Sequence, residues 1–394
     1  MPLITADGVP LHQTRRALIQ FRPMDSVEVF REVSPYLAPM RAKFSPHADG
    51  TKPIFFAATG RAVLDAVPDE IVRSLAERHL ATVRPEAVVS RPATRVASLT
   101  VNEILTDDDQ TAWALKALGG PRDTDGRGVL VAIIDTGVDV SHPCLRGRVS
   151  AGTSDGGIPA TGHGTHCAGL VAGARVAGQP QFGIAPAARI RSYRVFGSDE
   201  SASEGSVRSA IHLAVRDGCK VLVLAAGFAS AGVIAADASL GTWLARNERL
   251  LFSAAGNESD RLARLVMPVL APANAPGIRA IGAITGGGRL WNGSNGIGRD
   301  ESSRVDAVAP GTSILSAWPT GQYRHMSGTS VATAVAGGVA AALWSRYPSL
   351  SSTDLYRLMA RLADRRIAGD VDGIGDGLLS TRIPTFKSTN GTHP

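Results

Sequence analysis

From residue 128 onward, short apolar runs alternate with stretches of helical spacing. Runs at 129–134, 189–195, 221–225, 250–255 and 278–284 read as strands, with helical patterns over 163–174, 203–216 and 240–247 between them. Continuous apolar runs of this length suit strands covered on both faces, and helices between them imply crossover connections. The pattern predicts a doubly wound, mostly parallel α/β sheet. In such sheets ligands bind beyond the C-terminal ends of the strands.

The first 90 residues follow another rhythm. Apolar runs at 17–21, 54–58, 62–66 and 81–89 are interleaved with helical segments at 25–37 and from Pro68, where Asp69 and Glu70 fall in the first turn. The order β-α-β-β-α-β predicts a small α+β ferredoxin-like domain. Residues 91–125 read as a linker: Arg91-Pro92 breaks structure, and a short helix over residues 113–118 ends at Gly119-Gly120-Pro121. The expected divisions are 1–90, 91–125 and 126–385, with a polar, disordered tail at 386–394.

Composition narrows the class. Of the 394 residues, 44% are hydrophobic and 19% charged, enough apolar material for a sizeable core. The net charge is +6, yet only five of the 41 basic residues are lysines, and no basic run interleaved with aromatics appears. Nucleic acid is therefore not an expected partner. Three cysteines, Cys144, Cys167 and Cys219, form neither a disulfide framework nor a zinc pattern. No apolar run is long enough to predict a membrane span. The opening residues lack the apolar stretch of a secretory signal, which leaves the cytoplasm or a non-standard export route.

Four segments carry candidate chemistry. Asp135, in VAIIDTGVD, ends a strand; His163, in TGHGTHCAG, opens a small-residue helix; Asn257, in SAAGNES, follows a strand; Ser330, in SGTSVATAVAGG, opens a second helix. Each has an ordinary reading as a turn or capping residue, and His142 and His166 compete with His163. Jointly they are more demanding. Serine becomes a nucleophile when an imidazole takes its proton, and a carboxylate must hold that imidazole in the right tautomer. The oxyanion then needs fixed donors, which Asn257 and the Ser330 N–H could supply. The chain order Asp, His, Ser is one of those on record for such triads.

These four segments, together with PANAPGIRAIGA, DAVAPGTSI and GIGDGLL, resemble the subtilase (subtilisin-like serine protease) family, in places its proteinase K branch. The resemblance implies a serine endopeptidase with Asp135, His163 and Ser330 as triad, Asn257 in the oxyanion hole, and a substrate cleft lined by Ala225, Ala226, Gly227, Ala254, Ala255 and Gly256. The implied partners are a protein or peptide substrate and the chain's own N-terminal region. That region, through LDAVPDEIVRSLAERHLATVRPEAVV, is similar to an inhibitory propeptide, with self-processing expected at 91–105.

The chain also departs from the pattern. Ala334-Val335 replaces the family's Pro-His, and Phe228 stands where the cleft strand has glycine, which predicts a ring that reshapes the S1/S4 cleft. Cys144 replaces a calcium-ligating aspartate in IDTGVDVSHPCL; a neutral thiol is a poor ligand for a hard cation. No cofactor is expected, and the usual strong calcium site is expected to be lost. Cys167, four residues after His163, shares its helix face and reads as a small buried hydrophobe. A non-catalytic peptide-binding protein is the competing reading. A nucleotide-binding fold is rejected, because Gly286-Gly287-Gly288 is not followed by a phosphate-binding motif.

Overall fold

The computed structural model describes residues 113–119, 125–153, 155–177, 182–199, 201–228, 238–296, 304–368 and 371–382, and before them six strands and a helical turn at 73–75. Those strands are β1 (Arg16–Phe21), β2 (Phe55–Phe56), β3 (Arg61–Asp65), β4 (Ala81–Pro85), β5 (Val88–Ser90) and β6 (Arg95–Ser98). β1 to β4 form one antiparallel sheet in the order β2-β3-β1-β4. This is the strand order of the expected ferredoxin-like unit. The expected helix at 25–37 lies outside the described residues, as does the tail at 386–394.

One expected strand, 81–89, is two. β4 ends at Pro85, which has no N–H for a ladder, and β5 pairs elsewhere. It runs antiparallel to β10 (Ser201–Ser203). The expected linker likewise contains β6, which pairs antiparallel with β16 (Gln322–Ser327) beside β15 (Ile314–Trp318). N-terminal strands thus add to two separate edges of the main domain.

Among the described residues the main sheet holds seven strands, all parallel. They are β7 (Leu130–Asp135), β8 (Val149–Ala151), β9 (Arg189–Arg194), β11 (Val221–Leu224), β12 (Leu250–Ala254), β13 (Arg279–Ile284) and β14 (Ala307–Pro310), in the order β14-β13-β12-β11-β7-β9-β8. The chain enters in the middle at β7, builds one flank, then crosses to β11 for the other. The order therefore reverses between β7 and β11, and the crevice for a ligand falls there.

Side-chain parity builds the two layers. Val131, Ile133, Val221 and Val223 enter one core cluster, while Ala132, Ile134, Leu222 and Leu224 enter the other, because successive strand residues point to opposite faces. The first cluster takes α2 (His163–Ala172), α5 (Thr329–Arg346) and α6 (Ser352–Leu362); the second takes α3 (Glu204–Arg216) and α4 (Ala238–Arg246). α1 (Trp113–Ala117) leans on the first cluster, and a short α7 (Val371–Ile374) follows α6. α5 is buried from Thr329 to Trp344, and its apolar, small-residue surface on every side suits that place. Truncating a central strand residue such as Ile133 to alanine would cost about 2–5 kcal/mol.

Candidate active site

β7 ends on Asp135, which places its carboxylate at the reversal point of the sheet. The side chain is fully buried, and Oδ1 accepts the Thr136 N–H at 2.7 Å. α2 then brings His163 against it: Nδ1 lies 2.8 Å from Oδ2 and 2.9 Å from Oδ1. Thr136 Oγ1 accepts the Gly164 N–H at 3.0 Å, so the helix start is tied to the turn after β7. The approach requires glycine at 164. A Cβ there would meet the Gly137 carbonyl oxygen at 2.3 Å and the Asp135 Cβ at 3.2 Å.

The two competing histidines are committed elsewhere. His166 Nε2 donates to the Ile314 and Arg324 carbonyls at 3.0 and 3.1 Å, locking α2 to β15 and β16. Burial, with the nearby His163 second, pulls its pKa down to about 3, so it is neutral. His142 Nε2 donates to the Gln322 carbonyl at 2.9 Å, which leaves Nδ1 facing Cys144 Sγ at 3.2 Å. Burial lowers the pKa of His142 and pushes the Cys144 thiol up to about 12. Cys144 is therefore a neutral, buried group hydrogen-bonded within the protein.

Cys167 is buried as expected, with Sγ 3.8 Å from His163 Nδ1. Together with Asp135 it forms a cluster whose ligand-type atoms lie within 4.8 Å of one another.

Ser330 is the second residue of α5, which packs against α2. Its position at a helix start places backbone N–H groups and the positive end of the helix dipole around it. Thr329 beside it reaches Asn257 in the turn after β12: its N–H and Oγ1–H donate to Asn257 Oδ1 at 2.9 and 2.8 Å. Thr329 Oγ1 also accepts the Gly256 N–H at 3.1 Å. Sequence reasoning does not single out Thr329, although a hydroxyl next to the candidate nucleophile is a readable signal.

The six cleft residues fall at two neighbouring strand ends. Ala225, Ala226 and Gly227 follow β11, and β12 ends on Ala254, with Ala255 and Gly256 directly after it. Ser253 Oγ donates to the Ala226 carbonyl at 2.9 Å, joining the segments. Phe228 departs from the expectation. Its ring is 2% exposed and joins the second core cluster with Leu240, Leu244 and Ala271, so it fills the layer beneath the sheet.

Comparison with known proteins identifies the family. The model of the subtilase family (Peptidase_S8) matches residues 126–378. Thermitase of Thermoactinomyces vulgaris is 31% identical over 269 residues, which cover 67% of this chain and 89% of thermitase. A subtilisin of Bacillus sp. (strain TA39) is 29% identical over 297 residues, covering 68% of this chain and 70% of that protein. Among solved structures, a cold-adapted subtilisin-like serine proteinase superposes with a TM-score of 0.59 at 26% identity, over 70% of this chain and all of that one. Fervidolysin from Fervidobacterium pennivorans, at 20% identity, shares the fold over 94% of this chain and 60% of its own, with a TM-score of 0.70. The chain belongs to the subtilase family and is a serine-type endopeptidase.

Proposed function

We propose that Ser330, His163 and Asp135 hydrolyse peptide bonds through an acyl-enzyme, and that the chain is made as a self-processing zymogen. The observation that carries the catalytic part is the His163 Nδ1–Asp135 contact at 2.8 Å, combined with the bond from Thr329, next to Ser330, to Asn257. Asp135 accepts the Nδ1–H and leaves Nε2 as the base. Ser330 Oγ attacks the substrate carbonyl carbon while its proton passes to His163 Nε2. The resulting oxyanion accepts hydrogen bonds from the Asn257 amide and the Ser330 N–H. His163 then gives its proton to the leaving amine, and the C–N bond breaks. Water repeats the sequence on the ester, releasing the acid and restoring Ser330. The substrate backbone runs along 225–227 and 254–256.

The zymogen reading rests on the two edge pairings. β5 lies on β10 with Ser90 opposite Ser201, and β6 lies on β16 with Arg95 opposite Ser327, three residues before Ser330. Strand addition of this kind is how an extended peptide occupies a sheet edge. In this reading the N-terminal region binds its own peptidase domain as a substrate-like strand.

The Cys144 loop does not suit calcium. The ion prefers oxygen ligands, and the thiol is buried, neutral and engaged with His142. The proposed enzyme uses no calcium at this loop.

A fluorophosphonate probe tests the catalytic reading. Wild type should be labelled and Ser330→Ala should not. Labelling that survives in Ser330→Ala would refute Ser330 as nucleophile.

A further inference from the structure

An oxyanion donor is useful only if its N–H is fixed before the charge develops, so the residues that hold Asn257 matter as much as Asn257 itself. One side of the hold is Thr329, to which Asn257 commits its Oδ1. That fixes the amide flip and leaves Nδ2 as the donating end. The other side is Asn295, in the loop after β13 and fully buried.

Asn295 brackets Asn257 in both chain directions. Its N–H donates to the Gly256 carbonyl at 3.1 Å, on one flank. Its Oδ1 accepts the Glu258 and Ser259 N–H groups, each at 3.0 Å, and the Ser259 hydroxyl at 3.0 Å, on the other. Its Nδ2 donates to Glu258 Oε2 at 2.7 Å and to the Pro268 carbonyl at 3.0 Å. The same Glu258 oxygen accepts the Asn257 N–H at 2.8 Å. The N–H groups of residues 257 to 259 are thereby tied, directly or through Glu258, to one side chain, and the Gly256 carbonyl to the backbone of the same residue. The turn is built around it. Gly256 sits at φ +118°, and a Cβ there would lie 2.2 Å from Asn295 Nδ2 and 2.7 Å from Glu258 Oε2.

The side chain is used to capacity: an amide offers two donors and one acceptor oxygen, and Asn295 fills both kinds. A buried amide that spends all but one bond, the one to the Pro268 carbonyl, on a single turn with the oxyanion donor in it does more than satisfy its own polarity. We propose that Asn295, acting with Glu258, is a positioning residue that aims the Asn257 amide at the oxygen developing on the Ser330 adduct. This rests on the oxyanion role given to Asn257 above.

A double-mutant cycle decides it. kcat and KM are measured on a neutral peptide p-nitroanilide that wild type cleaves, for Asn257→Ala, Asn295→Ala and the pair. A donor displaced by about 1 Å costs on the order of 100-fold. Asn295→Ala should therefore lose about that much in kcat with KM nearly unchanged. The double variant should be no slower than Asn257→Ala alone, because a misaimed donor that is absent has nothing left to lose. Multiplying losses, or an unchanged kcat in Asn295→Ala, would overturn the proposal. If Asn257→Ala itself keeps wild-type kcat, the oxyanion reading fails first. Should thermal melting show Asn295→Ala unfolded, Glu258→Ala takes its place in the same cycle. Its carboxylate is exposed yet holds the Asn257 N–H, so a kcat loss masked in the Asn257→Ala background supports the proposal and an additive one refutes it.

Discussion

His163 Nδ1 sits within 2.9 Å of both carboxylate oxygens of Asp135, with neither residue more than 2% exposed. The carboxylate can only accept, so Nδ1 carries the proton and Nε2 is left basic. Asp135→Asn replaces an acceptor with an amide that can donate to Nδ1. The tautomer then reverses, and Nε2 can no longer take a proton from Ser330. By analogy with the same change in other triads, kcat should fall about 10⁴-fold with the melting temperature little altered. Steady-state kinetics on a peptide anilide measure this. A loss of less than about tenfold would remove Asp135 from the mechanism.

His166 sets a pH limit on stability. Its pKa falls to about 3 in the folded protein against 6.5 for an ordinary histidine, because burial opposes the charged ring. The unfolded chain therefore binds the proton first as pH drops. Stability is full above about 6.5 and declines as pH falls from there toward 3, by up to about 1.4 kcal/mol per unit for this one group. His142, also shifted down by burial, acts in the same sense. Melting curves of Ser330→Ala, which cannot digest itself, should show this slope. His166→Gln keeps a donor for the two carbonyls and should flatten it. A slope unchanged in that variant would refute the assignment.

The sheet and the candidate triad were legible because each candidate residue stands where a strand or helix meets a glycine-rich turn. Val131 to Ile134 are apolar without a break, and Asp135 interrupts them at the place where a parallel strand must end. Phe228 lies in the core and not in the cleft, and its parity carries that signal. Leu222, Leu224, Ala226 and Phe228 recur every second residue, and all four enter the same core cluster, as the period of an extended chain requires. The hairpin of β15 and β16 was not legible, since Gln322, Arg324 and His325 dilute its apolar pattern. Nor was Asn295: in NGSNG it has only the composition of a turn, and its side-chain partners 27 to 37 residues away are a tertiary fact.

Cys144 gives a prediction about ions. A strong calcium site ordinarily adds to stability in proportion to how tightly the ion binds the folded form. With a neutral thiol at this loop, that linkage should be missing. The melting temperature in excess chelator should match that in millimolar calcium. A rise of many degrees with calcium, retained in Cys144→Ala, would show a strong site at another place. Cys144→Asp offers a converse check, since it puts back a hard oxygen at the cost of a buried charge; calcium-dependent stabilisation that appears only in this variant would confirm that the thiol is what removed the site.

If the chain processes itself as proposed, strand pairing bears on where the cut falls. Ser90 is the last residue of β5 held on β10, and Arg95 is the first of β6 held on β16. Peptide groups within either ladder are engaged in strand hydrogen bonds, so a cut within the expected region 91–105 should avoid the β6 ladder. The bond between Arg91 and Pro92 is excluded within that window, because proline's ring nitrogen lacks the N–H of an ordinary leaving amine and fixes φ. N-terminal sequencing of purified wild type should therefore give a new end between residues 91 and 105, other than residue 92 and not within the β6 ladder at 96–98, while Ser330→Ala keeps its original end. Cleavage elsewhere, or cleavage that persists in Ser330→Ala, would contradict processing by this active site. If wild type stays intact while hydrolysing peptides, the N-terminal region is a permanent domain that leaves the cleft without being cut.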